Sequence, residues 1–241
     1  MRKRERIKNF IVIFVLASFI IPLGFLIFMI ATSPDSVANP SADVRTRSDY
    51  VLMLVQCLAG IAALILPPIL SKKISLEIPS NMYLVFVVFL YCAIFLGEVR
   101  DFYYHIPHWD SILHAFSGAM LGALGFSFVD LLNKNHVLST RLSPGFVAIF
   151  AFTFAFSLGT LWEVYEFTGD SLLGLNMQKW RLADGTALVG QPALQDTMKD
   201  LIIDGVSAGA MCVVGYFSLK YKTGFIDKIK IKFKRRPSPR K

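Results

Sequence analysis

Carboxylates and one histidine recur at helical spacing in three segments of the second half of the chain. Residues three or four apart lie on one face of a helix, so each segment would present its acidic or imidazole groups as a single stripe. An imidazole combined with carboxylates suits zinc, manganese or iron, whereas carboxylates alone suit calcium or magnesium. The same groups can also carry protons in acid/base chemistry. The stripes are Asp110 and His114; Glu163, Glu166 and Asp170; and Asp196, Asp200 and Asp204.

The composition around these stripes indicates a membrane protein. Of 241 residues, 54% are apolar and only 17% are charged, where a soluble domain carries about 25% charged residues. This balance excludes an ordinary soluble enzyme, and 21 phenylalanines together with 8 tyrosines argue against disorder. The three cysteines lie inside apolar runs, with no spacing typical of a disulfide framework or a zinc site.

Six apolar segments are long enough to cross a bilayer, which predicts an all-α, polytopic transmembrane helix bundle. We divide the chain into residues 1–97 with spans 1 to 3, residues 98–220 with spans 4 to 6 and the polar stripes, and a basic tail at 221–241. The prolines Pro67 and Pro68 should kink or end the second span. The predicted spans are Asn9–Ala31, Tyr50–Ser71, Met82–Gly97, Ile112–Leu132, Pro144 to about Thr168, and about Met198 to Lys220.

The basic residues predict the orientation, because lysine and arginine accumulate on the cytoplasmic side of membrane proteins. Of the 25 such residues, 19 fall in the N-terminus, the loops after spans 2 and 4, and the tail. Both termini are therefore expected in the cytoplasm, and 13 of the 17 acidic residues on the other side. We expect the tail to contact anionic lipid headgroups of the bilayer and do not expect a nucleic-acid partner.

This topology brings the three stripes to the outer ends of spans 4, 5 and 6, where one water-accessible pocket could hold them. We expect Asp110, His114, Glu166 and Asp200 to be metal ligands. Glu163 and Asp204 are expected to be the acid/base residues, since a carboxylate two turns inside an apolar span is a functional candidate. Which divalent metal is bound, if any, stays open.

At several positions a purely structural role competes with a role in a functional site. Asp170 fits a solvated helix end, and Asp196 fits an N-cap. The histidines His105 and His108 fit an interfacial aromatic belt together with their tyrosine and tryptophan neighbours. The glycines of spans 4 and 6 are best explained by helix packing. Those of span 6 are expected to pack against a different neighbouring helix. These glycines are Gly118, Gly122 and Gly125 in span 4, and Gly205 and Gly209 in span 6.

Three motifs in this order resemble the YjdF-like family of bacterial integral membrane proteins: WDSILHAFSG, LWEVYEF and QDTMKDLIID. More loosely, an Asp-x-x-x-His helix, a Glu helix and an Asp-x-x-x-Asp helix are similar to the VanZ-like group, associated with glycopeptide resistance. That group tends to have asparagine where this chain has Asp204. The resemblance implies a bacterial plasma membrane location and a shared site, without naming a reaction. The site positions it implies are Asp110, His114, Glu163, Asp196, Asp200 and Asp204.

Three functions remain open from the sequence. The first is a metal or acid/base site at the extracytoplasmic face that acts on an envelope or lipid-linked substrate. The second is a proton- or cation-coupled transporter, for which we find neither internal repeats nor broken helices. The third is a non-catalytic scaffold in which the polar cluster only clamps helices together. The substrate and the oligomeric state are not determined by the sequence.

Overall fold

The computed structural model describes residues 2–34, 45–74, 76–134, 142–182, 185–229 and 231–233. Six of its helices are long and apolar enough to cross a membrane, which confirms the all-α, six-span prediction. The helices are α1 (Arg2–Thr32), α2 (Arg47–Lys73), α3 (Ser80–Leu90, continued by a π-helix at Tyr91–Val99), α4 (Phe102–His105), α5 (Trp109–Lys134), α6 (Pro144–Leu173), α7 (Gln191–Lys220) and α8 (Phe225–Ile229). Two short strands, β1 (Leu76–Glu77) and β2 (Lys232–Phe233), pair antiparallel.

The helices that carry the acidic stripes are longer than the apolar windows predict. Helix α7 begins at Gln191, well before Met198, and α6 continues to Leu173. A hydropathy window stops where charged residues begin, but the backbone stays helical until a residue such as Gly174, with φ of 66°, ends it. Asp196 therefore lies inside α7, whose N-cap is Gly190, and the N-cap interpretation of Asp196 is wrong.

The long helices form two groups of three, each with its own apolar core. Phe19, Cys57 and Val87 are buried where α1, α2 and α3 meet. Phe126 and Ala151 are buried where α5, α6 and α7 meet. The two groups touch where the rings of Phe89 and Phe116 stack with centroids 5.7 Å apart.

Helix α2 does not end at its two prolines, because a side chain replaces a lost hydrogen bond. Pro68 has no N–H, so the carbonyl of Leu64, four residues earlier, lacks its helical donor. The hydroxyl of Tyr83 on α3 donates to this carbonyl at 3.0 Å. The helix consequently continues to Lys73.

Glycines let α5 approach its two neighbours closely, as predicted from helix packing. A Cβ at Gly118 would lie 2.9 Å from the Asp204 carbonyl oxygen of α7, and one at Gly125 would lie 2.7 Å from the Ala151 Cα of α6. On α7, Gly205 has the Phe156 ring of α6 as its nearest neighbour. The packing of α5 through α7 thus fixes the three acidic stripes relative to one another.

The beginning of the basic tail packs against the bundle. Ile226 in α8 is buried, and its N–H donates to the hydroxyl of Ser218 at 3.2 Å. Further along, the N–H of Ile231 donates to the Ser127 hydroxyl. The most basic part of the tail, residues 234–241, lies outside the described residues, and its contact with lipid headgroups stays a prediction.

Candidate metal centre

The imidazole of His114 lies at the centre of the polar cluster, between α5 and α7. Its Nε2 is 3.8 Å from an oxygen of Asp110, one turn earlier on α5, and 3.8 Å from an oxygen of Asp200 on α7. Its Nδ1 is 3.4 Å from an oxygen of Asp204. The spacing of four residues puts Asp110 beside His114, and the same spacing on α7 puts Asp200 and Asp204 on either side of the ring.

Three of these residues have the geometry to hold one cation. One ligand atom from each of Asp110, His114 and Asp200 lies within 4.8 Å of the other two. Metal–ligand bonds of roughly 2.0 to 2.4 Å allow opposed ligands to be about 4 to 5 Å apart. The three atoms therefore fit around a divalent ion with small side-chain adjustments.

The cluster is buried, and several of its polar atoms have no partner. The exposed fraction is 1% for Asp200 and 3% for Asp204, and His114 is also buried. Among the described residues, Asp200 Oδ1 and both carboxylate oxygens of Glu163 have no hydrogen-bond partner. Buried polar groups are normally paired, so these atoms are free to bind a ligand. The cluster thus holds several carboxyl groups around a single imidazole.

The two glutamates of α6 lie in different surroundings. Glu163 is buried with an exposed fraction of 4%. Glu166 is half-buried, and one of its oxygens accepts a hydrogen bond of 2.8 Å from the Trp162 indole. The described residues that could share one metal ion do not include Glu166, although the sequence predicts it as a ligand.

Asp170 caps the loop that follows α6, and the prediction of a solvated helix end is wrong. It is buried, and its two carboxylate oxygens accept hydrogen bonds from the backbone N–H of Met177 at 2.7 Å and of Gln178 at 3.0 Å. The chain turns back after Gly174 and brings these donors to the carboxylate. Asp170 therefore holds residues 174–182 over this end of the bundle.

This loop adds a cation that sequence reasoning missed. Lys179 has a left-handed backbone with φ of 50°, and its ammonium lies 4.8 Å from the centre of the Tyr103 ring and 5.1 Å from that of Tyr104. Burial lowers the pKa of Lys179, but Tyr104 and nearby carboxylates, including Asp110, raise it more, so its pKa lies above the usual value. Burial raises the pKa of Tyr103, and the Asp110 charge raises it further. A protonated lysine and a neutral phenol therefore lie close to the cluster.

The two histidines that precede α5 do not belong to the group formed by Asp110, His114 and Asp200. Both His105 and His108 are exposed. The indole N–H of Trp109 donates to the carbonyl of Cys92 in the π-helix at 3.2 Å, which ties the start of α5 to α3. The structure thus separates His114 from the other histidines of this segment.

A groove of about 710 Å³ lies between α6, α7 and the loop that joins these two helices. Most of its lining surface is apolar, although half of the lining residues carry polar side chains. Two buried carboxylates belong to this lining, Glu163 and Asp170, and Asp170 is already paired with two backbone N–H groups. The lining includes Thr160, Glu163, Val164, Phe167, Leu194 and Thr197.

Comparisons with known proteins place the site helices within a family of membrane proteins. The family described as "Predicted membrane protein (DUF2238)" matches residues 15–221, which include the whole of α5, α6 and α7. An uncharacterized protein of Thermotoga maritima is 31% identical over 159 residues, which make up 66% of this chain and 72% of the relative. No solved structure matches the chain.

Proposed function

The chain belongs to the DUF2238 family of predicted membrane proteins, and we propose that it binds a divalent cation at the outer face of a bacterial plasma membrane. The cation serves acid/base chemistry on an envelope or lipid-linked substrate. The observation that carries this proposal is the convergence of Asp110, His114 and Asp200, whose ligand atoms lie within 4.8 Å of one another. In such a centre the cation would supply Lewis acidity toward a substrate oxygen.

The two nitrogens of His114 suggest how the residues divide the work. Nε2 lies between Asp110 and Asp200 and would be the metal ligand. Nδ1 faces Asp204, which would fix the tautomer and orientation of the ring, as carboxylates beside metal-bound histidines commonly do. Glu163, with both oxygens unpaired, would exchange a proton with the substrate.

The unpaired atoms favour a binding site over a scaffold. A polar network that only clamps helices should satisfy its own hydrogen bonds, since unpaired buried groups cost free energy. Within the described part of the chain, Asp200 Oδ1 and both carboxylate oxygens of Glu163 are such atoms. They are better explained by a ligand that pairs with them.

Packing below the cluster favours a one-sided site over a transport path. Toward the other end of the bundle, a Cβ at Gly122 would lie 3.3 Å from the Met211 side chain, and one at Gly215 would overlap the Phe126 ring. Both positions are buried, and the neighbouring Ala208 is fully buried. Close contacts of this kind leave little room for a hydrated path between α5 and α7.

Metal content measured by mass spectrometry on detergent-purified protein tests the proposal. We expect stoichiometric divalent metal in the wild type and its loss in His114→Ala and Asp200→Asn. His105→Ala is the matched control, because His105 is exposed and lies outside the ligand group, and it should keep the metal. Circular dichroism verifies folding. Metal-free, well-folded wild type after incubation with zinc, manganese, iron, magnesium and calcium would disprove the proposal.

A second measurement separates ligands from acid/base residues. Glu163→Gln should keep the metal, since Glu163 is outside the ligand group, and should lose turnover of a lipid-linked substrate. Loss of metal in this variant would instead make Glu163 a ligand.

A further inference from the structure

The groove between α6 and α7 is open along the outside of the helix bundle. Val164, Phe167 and Leu194 line it and are exposed on the outside of the bundle. Exposed apolar side chains on membrane-spanning helices normally contact acyl chains, so this apolar opening is suited to a lipid chain. Its volume of about 710 Å³ lies within the range of roughly 300 to 1,000 Å³ typical of small-molecule sites.

The loop after α6 closes the groove at the site end. The Gln178 amide donates to the hydroxyl of Thr197 on α7 at 2.7 Å, and the Trp180 indole donates to the Leu175 carbonyl at 3.0 Å. Asp170 holds the same loop through its two backbone donors. Because these hydrogen bonds hold the loop in place, the groove has a fixed boundary at this end and is open at its side.

The inner part of the groove presents hydrogen-bond acceptors that lack donors. Glu163 lines this part and has an exposed fraction of only 4%. Neither of its carboxylate oxygens forms a hydrogen bond with the described residues. An unpaired buried carboxylate has a high free energy unless a donor reaches it. An occupant with a hydroxyl or amine at this end would satisfy it.

We propose that this groove binds the apolar chain of a membrane lipid whose polar end carries a hydroxyl or amine donor that reaches Glu163. This inference rests on the proposed function, because it places the reacting end of the lipid beside the metal cluster. It defines the substrate class as an amphiphile that enters laterally from the bilayer, with its chain against Phe167 and Leu194. Ordinary annular lipid would contact every exposed apolar surface equally, whereas this site selects one groove and one kind of headgroup.

Photolabelling in nanodiscs tests the chain position. The probe is a monoacylglycerol with a diazirine in its acyl chain, and the labelled peptides are identified by mass spectrometry. In the wild type, labelling should concentrate on the groove residues of α6 and α7. Leu194→Trp should reduce this labelling at least severalfold by filling the groove. Ile202→Trp is the matched control, because Ile202 lies on the same helix, is 61% exposed against 55% for Leu194, and is outside the lining.

A second variant and a second probe keep the test decisive. Val164→Trp fills the groove from the α6 side and replaces Leu194→Trp if that protein does not fold. The methyl ester of the same fatty acid lacks donors and should label the groove less than the monoacylglycerol does. Equal labelling by the two probes would overturn the assignment of the headgroup. Labelling that is spread over all lipid-facing surfaces, or that Leu194→Trp leaves unchanged, would overturn the groove.

Metal content separates this inference from the function on which it rests. Leu194→Trp should keep its metal, and His114→Ala should lose metal while keeping groove labelling. If the wild type holds stoichiometric metal but shows only uniform labelling, the groove inference fails alone. If groove labelling is specific and no metal binds, the proposed function fails and the lipid site does not serve a metal centre.

Discussion

The aspartate deepest in the membrane has a physical reason to be there if it orients His114. A charge inside an apolar span costs a few kcal/mol on insertion scales. Asp204 lies 3.4 Å from Nδ1 of His114, on the side of the ring opposite Asp110 and Asp200. A carboxylate in this position stabilises the tautomer that leaves Nε2 available to a metal.

Gly159 provides a way to disturb Asp204 without changing any predicted ligand. A Cβ at Gly159 on α6 would overlap the Asp204 carboxylate, so Gly159→Ala should push that carboxylate from its place beside the imidazole. Loss of an orienting partner lowers metal affinity by about 10- to 100-fold, and we expect a decrease of this size. Titration calorimetry with Mn²⁺ measures it.

Gly209→Ala is the control for this substitution. A Cβ there would meet only the Phe152 ring at 3.8 Å, an ordinary contact, so metal affinity should not change. Equal affinities for Gly159→Ala and wild type would show that Asp204 does not orient the ligand.

Lys179 should weaken cation binding, because it holds a positive charge near the acidic cluster. We expect Lys179→Gln to bind Mn²⁺ roughly 3- to 10-fold more tightly at low salt, and less so at high salt. The pKa of Lys179 is raised, so the residue stays protonated at and above neutral pH and the effect should be constant between pH 6 and pH 8. Lys179→Arg keeps the charge and should bind like the wild type; tighter binding by this variant would point to a steric cause.

At the scale of elements, spacing and hydropathy predict the helices and most of the cluster. The four-residue spacings are sufficient to place Asp110 with His114 on one side of α5, and Asp200 with Asp204 on one side of α7, and the packing of the two helices makes these sides face each other. The ends of α6 and α7 are predicted too short, because hydropathy averages fall where acidic residues begin. Lys179 is not predictable from the sequence, since its position depends on a left-handed residue in a loop that the buried Asp170 carboxylate holds.

The continuity of α2 through its prolines also depends on a contact between helices that the sequence does not reveal. Tyr83→Phe removes the hydroxyl that donates to the Leu64 carbonyl, and we expect a loss of about 1 kcal/mol in the free energy of unfolding. Denaturation in mixed detergent micelles measures this change. Tyr221→Phe removes a hydroxyl from an exposed side chain and should have no effect. If both variants unfold alike, the Tyr83 hydrogen bond does not stabilise α2.

At the scale of the whole molecule, the site belongs to the second group of three helices but is joined to the first group. Leu175 and Met177, in the loop that carries Lys179, pack against Leu52 near the start of α2. Arg45, just before α2, forms an ion pair with Asp101, just after α3. These contacts lie at the same end of the bundle as Asp110, His114 and Asp200, so the first group can stabilise the loop at residues 174–182 beside them.

The distribution of basic residues predicts that this end faces away from the cytoplasm. Val189 is exposed in the loop before α7, so a membrane-impermeant maleimide should label the Val189→Cys variant in intact cells. Lys222→Cys follows α7 and should be labelled only after the cells are opened. The native cysteines are buried or half-buried and should react slowly, and the unsubstituted protein measures that background. Labelling of Lys222→Cys alone in intact cells would reverse the orientation and the proposed outer site.

Pulsed electron paramagnetic resonance of the Mn²⁺-loaded protein tests the central claim most directly, because it detects nitrogen bound to the metal. The account predicts modulation from an imidazole nitrogen in the wild type and in His105→Ala. In protein loaded at high Mn²⁺ concentration, the nitrogen modulation should be lost in His114→Ala. Bound Mn²⁺ without nitrogen modulation in the wild type, or modulation that persists in His114→Ala, would contradict a metal centre built on His114.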